Sequence, residues 1–217
     1  MANISLRARN IRKDFNRRVI FREISFDLSN RDSLSITGPN GSGKSTLAKI
    51  LSGLLTPTAG TVSIEIGDAS PKAEQRRDYI GFVAPYLQLY DEFTGSENLD
   101  LASRIRGRRG SSEENDNLLD RVGLIHRKDD RVGTYSSGMK QRLKYAFALL
   151  HKPLVLILDE PMTNLDEPGI AVVREIVQEQ GQIGIVIVAT NDAEEARMCN
   201  QNLDLSAEKL PQLVAFP

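Results

Sequence analysis

The sequence predicts an α/β fold: a mostly parallel core sheet with helices on both faces, an N-terminal antiparallel β subdomain and an inserted helical subdomain. Three observations carry this. Short apolar runs such as Leu154-Val155-Leu156-Ile157-Leu158 read as buried parallel strands, and helical patterns follow them. Residues 4–11 and 19–28 alternate apolar and polar, as half-buried antiparallel strands do. From about Pro85 to Leu150, helical periodicity stands alone.

Taken in order, the two N-terminal strands flank a turn at Asp14-Phe15-Asn16-Arg17-Arg18. An aromatic on such a turn either stacks on a base or packs on the adjacent sheet, and the residues alone leave both open. Leu34-Ser35-Ile36-Thr37 reads as a strand. After a glycine-rich loop, Leu47, Ile50, Leu51 and Leu54 recur at helical spacing. Thr56–Gly60 has turn chemistry and Thr61–Ile66 is another alternating strand. Ile80–Ala84 is a short strand that Pro85 ends, because proline cannot donate to a ladder. Thr94-Gly95-Ser96-Glu97 is a capping box opening one helix, and Ser111-Ser112-Glu113-Glu114 opens another. Arg104, Arg106, Arg108 and Arg109 read as a solvated helix end and loop rather than a phosphate or lipid site. A helix from Gly138 to Leu150 carries Leu143, Ala146, Phe147 and Leu150 on one face. Beyond the buried strand at 154–158, a helix runs from Pro168 to Gln180 with Gly181 after its end. Gly184–Ala189 is a second buried strand, and Asp192–Met198 a short helix.

At 217 residues the chain suits a single domain, with the core at 1–84 and 151–217 and the helical insertion at about 85–150. A net charge of −1 offers no global field for nucleic acid or anionic lipid, so no nucleic-acid partner is expected. Cys199 is the one cysteine, which excludes an internal disulfide and fits a reducing compartment. His126 and His151 sit in no metal-ligand pattern and read as ordinary surface or subdomain residues. No apolar run approaches the roughly 18 residues of a membrane span, and no secretory signal is expected, so a membrane role would act through a partner.

The glycine-rich loop carries the chemistry. Gly38-Pro39-Asn40-Gly41-Ser42-Gly43-Lys44-Ser45-Thr46 fits the phosphate-loop pattern of Gly, four residues, Gly, Lys, then Ser or Thr. Wrapping a phosphate requires several backbone N–H groups to point inward together, at angles that residues with a Cβ seldom adopt. Strand, loop, helix places these amides at a helix N-terminus, where an anion is favoured. Lys44 supplies charge to the outer phosphates, and the Ser45 hydroxyl is placed to hold Mg²⁺. Leu156-Ile157-Leu158-Asp159-Glu160 is the second anchor. In a phosphate-loop fold an apolar strand beside the loop strand ends in an Asp that holds Mg²⁺ through water. Asp159 fits that role, and the Glu160 carboxylate is suited to polarising the water that attacks the γ-phosphate. Ser136, Ser137 and Gly138 open a helix and form another potential anion site, a weak signal by itself.

In order and spacing, GPNGSGKST at 38–46, YSSGMKQR at 135–142 and LILDEP at 156–161 resemble the ATP-binding cassette family, over nearly the whole chain from Phe15 to Asn191. The resemblance implies an ATPase that splits ATP to ADP and phosphate. It also implies head-to-tail pairing with a second copy or a paralogous cassette, each ATP lying between one phosphate loop and the other signature element. Ser136, Ser137 and Gly138 would then contact the γ-phosphate of the opposite subunit. The family pattern there is LSGGQ, so Ser137 replaces a glycine and Met139 a glutamine. The resemblance matches Phe15 to the aromatic that stacks on adenine and Asp166 to a residue of subunit communication. Two departures stand out. The family's glutamine after the strand at 81–84 is Pro85 here, with Gln88 as a candidate substitute, and the family's histidine after the last core strand is Asn191. Asn can donate a hydrogen bond but carries no charge, and it could instead cap the helix from Asp192. Hydrolysis is therefore expected to be slow.

Pro85–Phe93 is apolar and aromatic, and in transporter cassettes this region borders the groove for a helix of the membrane permease; the competing reading is subdomain core. With the following Glu97-Asn98-Leu99 it looks like small exporter-type cassettes, including the haem-exporter subunit of cytochrome c maturation. The resemblance thus implies the ATPase subunit of a transporter, held peripherally at the cytoplasmic membrane face by its permease. The alternatives are a soluble cassette acting on an assembly, such as iron–sulfur cluster scaffolding, and an ATP-binding switch that scarcely hydrolyses.

Overall fold

The computed structural model describes residues 3–107, 111–206 and 213–215. Arg108 and Arg109 lie outside the described residues. The chain runs β1 (Ile4–Phe15), β2 (Arg18–Ser29), β3 (Ser33–Thr37), α1 (Lys44–Leu51), β4 (Ala59–Ile66) and β5 (Ile80–Val83). Three helices follow: α2 (Gly95–Ile105), α3 (Ser112–Arg121) and α4 (Ser137–Leu149). Then come β6 (Val155–Asp159), α5 (Glu167–Ile183), β7 (Ile185–Ala189), α6 (Ala193–Ala196), β8 (Gln201–Asp204) and β9 (Leu213–Ala215).

The predicted class holds. Strands β2-β1-β4 form an antiparallel sheet, and β5-β6-β7-β3-β8-β9 form a second sheet that is parallel except for β9. One expectation is corrected: β6, which ends in Asp159, is not the neighbour of β3, because β7 lies between them. Ser45 nevertheless reaches Asp159, because it stands on α1, which packs across both β6 and β7.

Strand periodicity explains the two cores. Val155 and Ile157 of β6, with Ile185 and Ile187 of β7, face one side and join Leu47, Ile50 and Leu51 of α1 and the antiparallel sheet through Leu6, Ile24 and Leu28. Leu156, Leu158, Val186 and Val188 face the other side and meet Leu99, Leu119, Leu143, Tyr145 and Ile176 from the helices. Both β6 and β7 are buried along their whole length, which is why they read as continuous apolar runs.

Helix starts match the sequence. Thr94 and Glu97 make the reciprocal capping box of α2. Ser111 caps α3, and Ser136 caps α4. Arg104 pairs with Asp100 on the exposed face of α2, as a solvated helix end should.

Several boundaries move. The first turn shrinks to Asn16-Arg17, both at positive φ (48° and 65°), the signature of a tight two-residue hairpin. Helix α5 runs through Gly181 and stops at Gly184. A Cβ on Gly184 would lie 2.1 Å from the Leu154 carbonyl oxygen, so close approach to the start of β6 places the glycine. His151 is buried, its Nε2 3.0 Å from the Ile80 carbonyl oxygen, and so is not a surface residue. The sequence reading missed β8 and β9. In β8 only Leu203 is buried, but Asn202 Oδ1 accepts hydrogen bonds from Ser35 and Thr37 hydroxyls of β3, both at 2.9 Å. Polar pairing replaces the apolar signal there.

Candidate functional site

The loop 38–46 leaves the carboxyl end of β3 and enters α1, so its amides converge at a helix N-terminus. Gly38 and Gly43 are fixed by geometry. Gly38 has φ 140°, and a Cβ there would meet Ser42 Oγ at 2.8 Å. Gly43 has φ 104°, and a Cβ there would strike Ile20 of β2 at 2.6 Å. Lys44 is buried, and its Nζ donates to the Gly38 and Pro39 carbonyls at 2.8 and 3.1 Å. That places the ammonium across the loop mouth. The Ser42 hydroxyl is buried without a hydrogen-bond partner, and a bound phosphate oxygen would satisfy it.

Ser45 Oγ donates to Asp159 Oδ1 at 2.9 Å. The two are hard oxygen donors, which suit Mg²⁺. That ion is normally held by one or two protein oxygens plus substrate phosphates and water, not by an all-protein cage. Among the described residues no cluster of three or more His, Cys, Asp or Glu forms such a cage. Asp159 is 1% exposed, and burial pushes its carboxyl above the ordinary carboxylate range. The hydrogen bond from Ser45 draws it back, the Glu160 charge raises it, and the Lys49 charge lowers it.

Glu160 follows at φ +49°, a left-handed conformation that a non-glycine residue adopts at a cost. Its N–H donates to the Ala189 carbonyl at 2.8 Å, so β7 holds the turn. Beyond it, the buried Glu195 of α6 accepts the Met162 N–H at 2.9 Å. The loop that carries Glu160 is therefore pinned on both sides.

The other predicted residues lie as follows. Ser136 and Ser137 are exposed at the start of α4, with Ser136 Oγ accepting the Met139 N–H at 3.2 Å. A Cβ on Gly138 would sit 3.1 Å from the Asn164 carbonyl oxygen, so the signature turn abuts the loop before α5. Met139 packs against the helical core instead of facing out. Asp166 caps α5, its Oδ1 accepting the Gly169 N–H at 3.1 Å. Asn191 does not cap α6; Asp192 does, accepting the Glu194 and Glu195 N–H groups. Asn191 Nδ2 instead donates to Asn40 Oδ1 of the phosphate loop at 3.2 Å. Phe15 is 44% exposed at the hairpin tip, with Lys13 Nζ 4.8 Å from its ring centre.

The stretch after Pro85 divides. Gln88, Leu89 and Tyr90 line a groove of about 320 Å³ with Leu101, Ile105 and Phe147. Tyr86 goes elsewhere: its ring lies under Lys49, whose Nζ is 4.0 Å from the ring centre. Lys144 of α4 donates to the Pro85 carbonyl at 2.7 Å and more weakly to that of Ala84. Sequence reasoning placed Tyr86 in the apolar stretch after Pro85 but missed Lys49 and Lys144, which belong to no motif.

A phosphate loop, a buried Asp bonded to its serine and an adjoining Glu define a nucleoside-triphosphate site in an α/β frame. The family model described as ABC transporter matches residues 21–163. The linearmycin resistance ATP-binding protein LnrL of Bacillus subtilis is 35% identical over 191 residues, covering 86% of this chain and 60% of its own length. The lipoprotein-releasing system ATP-binding protein LolD of Oleidesulfovibrio alaskensis is 36% identical over 201 residues, covering 88% and 87%. A dimeric ATP-binding cassette solved in a post-hydrolysis state with ADP and phosphate superposes with a TM-score of 0.84 at 22% identity, covering 98% and 99%. The chain belongs to the ABC transporter family, as an ATP-binding cassette, the family's ATP-hydrolysing domain. It spans about three fifths of the length of LnrL and most of LolD.

Proposed function

We propose that the chain is the ATPase of a transporter, using ATP and Mg²⁺ to pair with a second cassette and drive a membrane permease. The single observation that carries this is the 2.9 Å contact of Ser45 with Asp159 at the mouth of the loop, with Glu160 next in sequence. The loop amides of 38–46 and Lys44 would bind the phosphates. Ser45 and Asp159 would hold Mg²⁺, which when bound draws charge from the β- and γ-phosphates. Glu160 would orient the attacking water, and Phe15 would stack on adenine. Ser136, Ser137 and Gly138 would complete the site of the opposite cassette, and Asp166, at the adjoining loop, would couple the two. Among the described residues no helix is long and apolar enough to cross a membrane, which fits a separate permease at the membrane face. The groove lined by Leu89, Tyr90, Ile105 and Phe147 would receive a permease helix, within an insertion at about 85–150. The haem-exporter likeness rests on residues 84–99 alone, and the relatives above are named for linearmycin resistance and lipoprotein release. Turnover would be slow, because Pro85 and Asn191 lack the family's side chains at two γ-phosphate contacts; losing one such contact costs about tenfold to a thousandfold in rate.

The test is phosphate release from ATP with and without Mg²⁺. Lys44→Ala should lose nucleotide binding. Glu160→Gln should keep binding, lose turnover and accumulate as an ATP-bound dimer by size-exclusion chromatography. A Glu160→Gln variant that stays monomeric with Mg²⁺ and ATP would refute the shared site.

A further inference from the structure

The left-handed turn at Glu160, φ +49°, is held from three different elements. The Glu160 N–H donates to the Ala189 carbonyl at the end of β7 at 2.8 Å. Two residues on, the Met162 N–H donates to the Glu195 carboxylate of α6 at 2.9 Å. Between them lies Pro161, which has no N–H of its own. Its carbonyl accepts the Tyr145 hydroxyl of α4 at 2.7 Å. Tyr145 is fully buried in the core between the helices and the sheet. That packing accounts for its ring but not for its hydroxyl. A phenol hydroxyl in apolar surroundings is unfavourable without a partner, and the partner here is the backbone next to Glu160. Burial pushes the Tyr145 phenol well above its ordinary pKa and the Glu195 charge adds to this, so the hydroxyl keeps its proton and remains a donor.

We infer that Tyr145 is a positioning residue for Glu160, and that its hydroxyl ties the turn of Glu160 to the helix of the signature element. A left-handed non-glycine residue persists only where its surroundings over-determine it. The Ala189 carbonyl and Glu195 hold the turn from β7 and α6, and Tyr145 supplies the hold from α4. Helix α4 starts at the signature turn, where Gly138 abuts the Asn164 carbonyl, and about two turns later it reaches Pro161 through Tyr145. One helix therefore carries both the residues proposed to meet the ATP of the opposite cassette and a clamp on the carboxylate of its own site. Removing the hydroxyl releases the turn on the α4 side. The effect belongs to the chemical step and not to nucleotide binding, because the clamp acts on the residue after Glu160 and not on the loop 38–46.

The inference rests on the ATPase reading, and the test separates the two. Steady-state phosphate release from ATP with Mg²⁺ is measured on the full chain, wild type against Tyr145→Phe, which keeps the ring and removes only the hydroxyl. The expected result is a kcat lower by about tenfold, as for a buried acceptor that loses its donor, with KM and the binding of a non-hydrolysable ATP analogue unchanged. Gln180→Met is the control. Gln180 Nε2 donates to the Pro153 carbonyl at 2.9 Å, a buried bond before the opposite end of β6. It should lower the urea midpoint as Tyr145→Phe does and leave kcat alone. Added to Glu160→Gln, Tyr145→Phe should bring no further loss of the residual turnover, because the carboxylate that it positions is gone. If wild type turns over through Glu160 and Tyr145→Phe keeps the wild-type kcat, the role of Tyr145 is refuted and the ATPase reading stands. An equal further loss in the Glu160→Gln background, weaker analogue binding in Tyr145→Phe, or an equal fall in kcat in Gln180→Met would also refute it, since general loosening of the core would do that. If wild type releases no phosphate, both fall together.

Discussion

Asp159 sits among groups that pull its carboxyl in opposite directions. Burial and Glu160 favour the protonated form, and Ser45 and Lys49 favour the charged one. A metal needs the charged form, so the donors around Asp159 support the role proposed for it. The same logic applies to Asn191. It can donate but cannot carry charge, and its amide is engaged with Asn40 of the phosphate loop. Asn191→His should raise kcat about tenfold by restoring a charged donor of the kind that stabilises a transferring phosphoryl group. Steady-state phosphate release checks this, and an unchanged kcat would show that Asn191 does not limit turnover. Residue types and the spacing of Gly38–Thr46 and Asp159-Glu160 made these positions legible as candidates in advance. Tyr86 and Lys49 were not legible, because their meeting depends on where a loop from β5 comes to rest over α1.

At the scale of elements, helices were easier to read than their ends. Thr94, Ser111 and Ser136 cap as their sequence contexts predict, because capping is a local contact between residues three apart. Helix α5 overran Gly181 because its stop is set by the approach of Gly184 to Leu154, a contact across the fold. Strand β8 carries almost no apolar pattern and is held by Asn202 against Ser35 and Thr37, so periodicity had nothing to detect. Lys144 belongs at this scale as well, since it joins α4 to the loop after β5. Burial lowers its pKa, so it is held partly out of water for the sake of two carbonyls. Lys144→Met should cost about 1–3 kcal/mol, the range for losing hydrogen bonds to a charged group. Urea unfolding measures it, and a variant with full stability would show that the tie is idle.

For the whole molecule, the two cores divide labour. One joins the antiparallel sheet and α1 to the face of the six-stranded sheet that carries the phosphate loop, and the other joins the helices to the opposite face. The helical side leaves Tyr90 and Ile105 exposed beside a groove, Ile105 at 71%. A side chain that exposed contributes little to folding. Ile105→Asp should therefore change stability by less than about 0.5 kcal/mol, yet abolish co-purification with a membrane permease under the proposed function. Retained co-purification from membranes would place the docking surface elsewhere.

The sequence by itself determined the fold class, the nucleotide loop, the paired carboxylates and the family, because each rests on short-range spacing or on a run of residue types. Only the tertiary structure decided that β7 separates the loop strand from the strand of Asp159, that Asn191 turns to Asn40 and that Lys49 lies over Tyr86. Those facts depend on strand order and loop placement. Both are set by packing between segments far apart in the chain, which local pattern does not encode.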